Sequence, residues 1–159
     1  MYIITYVLYL YIEKHITITE MENGILIGGQ ALIQLGSSRG TIDTDYLVNI
    51  SDARTFIHDE EDIDLINAGG RQSFAKFFLA IWNIEKGNTI ATPQSLLELK
   101  AYSYIQHLKN GNGQKADDAE YDMRFLVRTF KLKGVKIVSN YLSKAEQKVI
   151  QDLIKAVRK

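Results

Sequence analysis

Two aspartates one residue apart, Asp43 and Asp45, open an apolar run in the stretch Arg39-Gly40-Thr41-Ile42-Asp43-Thr44-Asp45. Residues i and i+2 of a strand point to one face, so a strand beginning there would aim both carboxylates at one site. Held that close they repel unless a cation lies between them. Hard divalent cations such as magnesium take oxygen ligands of this kind, usually alongside substrate phosphates. Upstream, Gly28 and Gly29 separate the apolar triplet Ile25, Leu26, Ile27 from a short helical stretch, Gln30 to about Leu35. A glycine pair between strand and helix lets a phosphate approach backbone N–H groups and the positive end of the helix. The plainer reading of the same residues is an ordinary strand–helix–strand turn with solvated acids.

The combined order is more specific than either feature alone: apolar strand, G-G-x-A, helix, then R-x-T-x-D-x-D running into a second apolar strand. It resembles the signature of the minimal nucleotidyltransferases of the DNA polymerase β superfamily, particularly the bacterial AbiEii-type and related toxin–antitoxin enzymes. The resemblance covers roughly residues 24–126 and is strongest over 25–50. It implies an α/β (α+β) fold, a small mixed β-sheet flanked by helices. It also implies metal-dependent transfer of a nucleoside monophosphate from an NTP to an acceptor hydroxyl, with Mg²⁺ (or Mn²⁺) as cofactor. The acceptor would be RNA, such as a tRNA 3′ end, or a partner toxin or antitoxin protein. The alternative is a catalytically degenerate member that binds nucleotide or a protein partner.

Carried over residue by residue, Asp43 and Asp45 would hold the metal and a third carboxylate would come from a neighbouring strand. Asp64, flanked by apolar residues in the alternating stretch 62–66, is the best candidate and Asp62 the runner-up. The plainer alternative makes the acidic cluster at 59–64 a solvated hairpin turn. Only 19 positions separate Asp45 from Asp64, fewer than a full connecting helix would lead one to expect. Gly28, Gly29, Arg39, Thr41 and Lys100 would bind the nucleotide. Lys100 lies in a P-x-x-L-L-x-x-K helix, here Pro93, Leu96, Leu97 and Lys100, where an ammonium group would reach the triphosphate as a mobile point charge; otherwise it snorkels along the helix edge. Lys115, Asp118, Asp122, Met123 and Leu126 resemble the K-D-x-x-D-[IM]-x-x-L element that closes the family's conserved block, with one extra residue between the aspartates. Their implied part is substrate positioning from behind the site; surface ion pairs and caps are the alternative.

These groups need a scaffold. Residues 73–85 carry Phe77, Phe78, Ile81 and Trp82 at helical spacing, an apolar stripe that suits core better than a base-stacking platform. Thr92-Pro93 opens the next helix, whose apolar face is Leu96, Leu97, Ala101, Tyr104, Ile105 and Leu108, and Gly111-Asn112-Gly113 ends it. Ser143 and Glu146 have capping-box spacing before a last amphipathic helix with Val149, Ile150, Leu153, Ile154 and Val157 on one face. Its basic residues could meet RNA or a partner, though a solvated face is the default. The expected organisation is a core over 1–92 with a helical segment over 93–159 packed on it, or both as one domain. The apolar run at 2–12 suggests a strand or a packed helix. It is too short to cross a membrane and lacks the flanks of a signal peptide, so a cytoplasmic location is expected; Met21 is a second candidate start.

Composition narrows the chemistry further. The 159 residues contain no cysteine and three scattered histidines, which excludes disulfides and thiolate metal sites and disfavours zinc. The net charge of zero conceals an asymmetry: residues 1–99 hold 6 Lys/Arg against 13 Asp/Glu, and residues 100–159 hold 13 against 6. An acidic half able to hold metal joined to a basic half able to hold phosphate suits a nucleotide enzyme, and two complementary faces that pack together would look the same. There is no internal repeat, low-complexity tract, Ser-His-Asp constellation or Walker-type loop.

Overall fold

The computed structural model describes residues 23–58 and 62–159. The expectations for the run at 2–12 and for residues 59–61 of the acidic turn lie outside the described residues. The chain is α+β. In order it forms β1 (Ile25–Ile27), α1 (Gly28–Gln34), β2 (Thr44–Val48), β3 (Phe56–His58) and β4 (Ile63–Asn67), then α2 (Ala75–Glu85), α3 (Pro93–Lys109), α4 (Gly113–Phe130), a 3₁₀ turn (Val138–Tyr141) and α5 (Lys144–Val157).

The four strands lie in the order β1-β2-β4-β3, with β2 and β4 parallel and both outer pairs antiparallel. From β2 the chain runs to the far edge, makes β3, and turns back as β4 into the gap. That hairpin replaces a crossover helix and accounts for the short interval before Asp64. Asn67, wholly buried at the end of β4, ties down the β2–β3 connection. Its amide donates to the carbonyls of Asp52 and Arg54 and its oxygen accepts from Ile50 N and Gly69 N, so no buried polar atom there is left unpaired.

One face of the sheet, carrying Ile25, Ile27, Leu47 and Ile66, receives the helices. A single apolar cluster runs from these strands through Phe77, Leu96, Leu97, Met123 and Leu126 to Ile150 and Val157, so the C-terminal helices and the sheet share one core. On the other face Val48, Ile57 and Leu65 form a smaller cluster. α3 and α4 form an antiparallel hairpin in which Lys100 meets Asp122 and Tyr104 meets Glu120.

Local signals set the helix starts. Thr92 accepts from Ser95 N with proline at the first turn of α3, Asn112 accepts from Lys115 N, and Ser143 and Glu146 complete a capping box. Two expected apolar positions, Leu108 and Val149, are instead 47% and 42% exposed, at the margins of their stripes. Buried Glu85 is held by hydroxyl and amide donors from Thr92 and Asn88. Burial alone would raise its carboxyl, but hydrogen bonds from Ser95, Thr92 and Asn88 outweigh it and hold the pKa below the usual value. No helix of the described residues is long and apolar enough to cross a membrane.

Candidate functional site

Strand register brings the acids together. Ile27 pairs with Asp45, Asp45 with Asp64, and Asp64 with His58, so one row across the end of the sheet reads Ile27, Asp45, Asp64, His58, with Gly28 next to it at the end of β1. Neighbouring strands lie roughly 4.8 Å apart and paired residues share a face, which sets Asp45 and Asp64 side by side. β2 begins at Thr44, so Asp43 lies just ahead of the strand and is exposed. Asp62 also lies ahead of its strand, with φ 55°, and does not continue the alternation of β4. Its carbonyl accepts from Thr44 N, which locks the starts of β2 and β4 together.

The glycine pair serves this row by its lack of side chains. Gly28 has φ +66°, and the space a Cβ would need there is filled by the Asp45 carboxylate. A Cβ on Gly29 would lie 2.6 Å from Thr41 Cγ2. Gly28 therefore lets Asp45 lie against the β1–α1 junction, and Gly29 lets Thr41 close over it. This is close packing of the site's own side chains against backbone, a tighter use of glycine than open room for a ligand.

Burial pushes the Asp45 carboxyl up to about 6; the Asp64 and Asp43 charges add to the shift, while Lys100 and then Lys115 oppose it. His58, exposed at the sheet edge, puts Nδ1 2.5 Å from Asp64 Oδ1, and that hydrogen bond together with the carboxylate's charge raises the imidazole pKa.

Behind the acids lies a buried carboxylate. Asp122 in α4 has no exposed surface and accepts from Arg39 at both oxygens, Nε to Oδ1 at 2.8 Å and Nη2 to Oδ2 at 2.7 Å. Lys100 Nζ lies 2.7 Å from the same Oδ2. Two cations share one anion, a net positive cluster beside Asp45. The fork of Arg39 fits the carboxylate as a planar bidentate pair, leaving Lys100 as the point charge. Tyr121 and Ser38 hydroxyls hydrogen-bond at 3.2 Å next to it. Of the other residues the sequence singled out, Lys115 is exposed at the start of α4, and Asp118 is half-buried and accepts from Gln114 at 3.4 Å. Neither touches the acid pair, although the charge of Lys115 reaches Asp45 and that of Asp118 reaches Arg39.

The donor chemistry fits a hard cation. Two adjacent carboxylates, one of them desolvated and crowded by like charge, are what a divalent ion relieves. Magnesium is usually held by one or two carboxylates, completing its shell with water and phosphate oxygens. Among the described residues no group of three or more His, Asp or Glu side chains is placed to hold a metal ion unaided.

Two cavities adjoin the row. One of about 280 Å³ is lined by Asp45, Asp64, His58 and Phe56. The other, of about 420 Å³, shares Phe56 and Ile66 with it and runs between α2 and α3. His58 and Phe56 were missed by sequence reasoning; the signal lay in the Phe-Ile-His triplet before the acidic run, whose pairing with the Asp-Ile-Asp-Leu-Ile stretch only the hairpin reveals. No family model, curated protein or solved structure matches this chain.

Proposed function

We propose that this chain is a metal-dependent nucleotidyltransferase that moves a nucleoside monophosphate from an NTP to a hydroxyl of RNA or protein, in a toxin–antitoxin or phage-defence setting. The observation that carries the reading is the in-register pairing of Asp45 with Asp64 beside two cations anchored on buried Asp122. Acids that repel one another, beside cations that only partly offset them and share one anion at Asp122, suit a substrate bringing both a metal ion and a polyphosphate. Asp45 and Asp64, with Asp43 at the margin, would hold Mg²⁺, which when bound orients the reacting oxygens and offsets charge on the leaving pyrophosphate. Lys100 and Arg39 bind the phosphates from the β1 side, and Asp122 keeps both cations aimed there. Thr41 and the Gly28–Gly29 backbone close that side of the site. Asp64, on the far side, takes the proton of the acceptor hydroxyl.

A second reading, a degenerate member that binds nucleotide or a partner without turnover, is favoured by one observation. His58 occupies Asp64, and Asp43 stays outside the strand.

Incubation of the protein with α-labelled NTP and Mg²⁺ separates the two. Transfer of label to RNA or protein, abolished by Asp43→Ala together with Asp45→Ala, is the expected result. Nucleotide binding without transfer would support the degenerate reading, and absence of any Mg²⁺-dependent nucleotide binding would sink both.

A further inference from the structure

We propose that the aromatic trough beside the acid pair is the acceptor site, and that it takes the unpaired terminal base of a single-stranded nucleic acid. The inference rests on the nucleotidyltransferase reading and deepens it by naming the acceptor class.

The first step is direction. Across the sheet end the order is Ile27, Asp45, Asp64, His58. Arg39 and Lys100 meet on Asp122, and Thr41, two residues after Arg39, packs on Gly29, which ties the Arg39 end of this cluster to the β1–α1 junction. In phosphoryl-type transfer the attacking and leaving oxygens stand roughly in line across the phosphorus. With pyrophosphate leaving toward Arg39 and Lys100, the acceptor enters from the opposite side, over Asp64 and β3. The acceptor hydroxyl oxygen forms a bond to the α-phosphorus and the bond to the pyrophosphate oxygen breaks. Pyrophosphate departs with that electron pair, and the hydroxyl proton passes to the Asp64 carboxylate and on to water.

The second step is chemistry. On the β3 side lies the trough of about 420 Å³, next to the acid cavity with Phe56 and Ile66 lining both, and its size falls in the small-ligand range of roughly 300–1,000 Å³. Phe56 is 56% exposed on an edge strand, stacked on Phe74 at 5.5 Å and edge-on to Phe78 at 5.7 Å. Tyr102 of α3 stands across from it, edge-on to Phe78 at 5.4 Å. Gln106 and His107 line the same α3 wall, offering an amide and an imidazole to a base edge. Flat aromatic rings with polar groups at the rim match a splayed-out base, which stacks by its face and hydrogen-bonds by its edge. Among the described residues no acid lines the trough, and the charges of Lys115 and Lys100 reach His107 at its wall, partly offset by that of Asp118. Positive charge suits either kind of polyanion, and it is the aromatic lining that favours a nucleic-acid strand, whose bases can stack, over an acidic peptide.

The test uses the full chain and a short 5′-fluorescein-labelled single-stranded RNA with a free 3′ hydroxyl, read by anisotropy without NTP. Phe56→Ala removes an exposed ring rather than core and should weaken binding about tenfold or more, while Phe56→Tyr keeps it. Gln106→Glu, which adds an anion without removing packing, should weaken it as well. In transfer assays with the same RNA, Phe56→Ala should raise KM for RNA and leave KM for NTP unchanged. If KM for NTP rises instead and RNA binding is unchanged, the trough holds the incoming nucleotide's own base and the proposal is overturned. Label passing to protein while RNA neither binds nor competes also overturns it. Phe56-dependent RNA binding with no transfer of label upholds the trough and rejects the enzymatic reading. Transfer to RNA indifferent to Phe56 and Gln106 rejects the trough alone.

Discussion

The Asp45 carboxylate fills the space that a Cβ on Gly28 would require, so the acid can take its place in the row only because residue 28 has no side chain. Gly28 also sits at φ +66°, where an L side chain costs roughly 1–2 kcal/mol on its own. Gly28→Ala therefore carries two penalties, and they can be separated. In the natural background the loss should exceed about 2 kcal/mol, from backbone strain plus displacement of Asp45. In an Asp45→Ala background only a Cβ 3.0 Å away remains, and the cost should fall toward the backbone part alone. Urea unfolding of the four proteins gives the coupling energy directly. Equal costs in both backgrounds would show that the two residues do not compete for space.

Asp45 also makes stability depend on pH. Its carboxyl titrates at about 6 in the fold against 3.8 in the unfolded chain, chiefly through burial. Below 3.8 both states are protonated and the group has no effect. As pH rises toward 6 the unfolded chain has released a proton that the folded one retains, so stability falls, and above 6 the loss is complete. Its ceiling is about 3 kcal/mol, and less to the extent that water reaches the carboxylate. Asp45→Asn should thus melt higher than the natural protein near pH 8 and close to it below pH 4. Mg²⁺ should narrow the gap near pH 8 by favouring the charged form. An asparagine variant that melts lower than the natural protein at both pH values would contradict this account of the site.

The parts of this architecture that could be read from the chain are those decided within one or two turns. Thr92-Pro93 and Ser143 with Glu146 start helices because each satisfies amide groups a few residues away, whereas Asn112, legible only as part of a break, also caps the helix after it. The Asp45–Asp64 pairing was obscured because β4 enters the sheet between β2 and β3, an arrangement fixed by register and not by any local signal. Asp118 and Asp122 look alike in sequence, one turn apart on one helix. Only packing separates them: Asp122 lies beside Ala119, Met123 and Leu126 on the buried face, and its partner Arg39 is 83 residues away. The glycine pair was visible, but its use was not, since the group that needs the space at Gly28 comes from another strand.

Glu98 offers a test of the fold that leaves the site untouched. This buried carboxylate on α3 accepts from Lys136 N at 2.7 Å and Val138 N at 2.9 Å through separate oxygens, and Gln94 Nε2 donates to it at 3.0 Å. Glu98→Gln keeps the shape but replaces one acceptor with an NH₂ that faces an N–H. The expected cost is about 1–3 kcal/mol. The amides of Lys136 and Val138 should exchange with solvent faster, while that of Ile50, held by Asn67 at the far side of the sheet, keeps its relative protection. Uniform acceleration at all three would mean that Glu98 acts through global stability and not as a local tie.

Asp122 is the residue on which stability and the proposed phosphate binding meet. Removing it leaves Arg39 and Lys100, only 23% and 16% exposed, as close like charges with no anion between them. Breaking a buried pair in this way costs about 3–5 kcal/mol, so Asp122→Ala should unfold far more readily than the natural protein. Lys100→Met is the informative contrast. Asp122 keeps its bidentate hold on Arg39, the methionine stem covers the same apolar edge, and the fold should lose much less. If Lys100 meets the leaving phosphates, that same substitution should slow nucleotidyl transfer about a hundredfold or more, because a preorganised charge at the site of developing charge is lost. The two variants then part company, one failing by unfolding and the other by rate. A Lys100→Met protein that transfers label at the natural rate would assign Lys100 to structure alone, and the phosphate-binding side of the site would have to be sought elsewhere than at the Asp122 cluster.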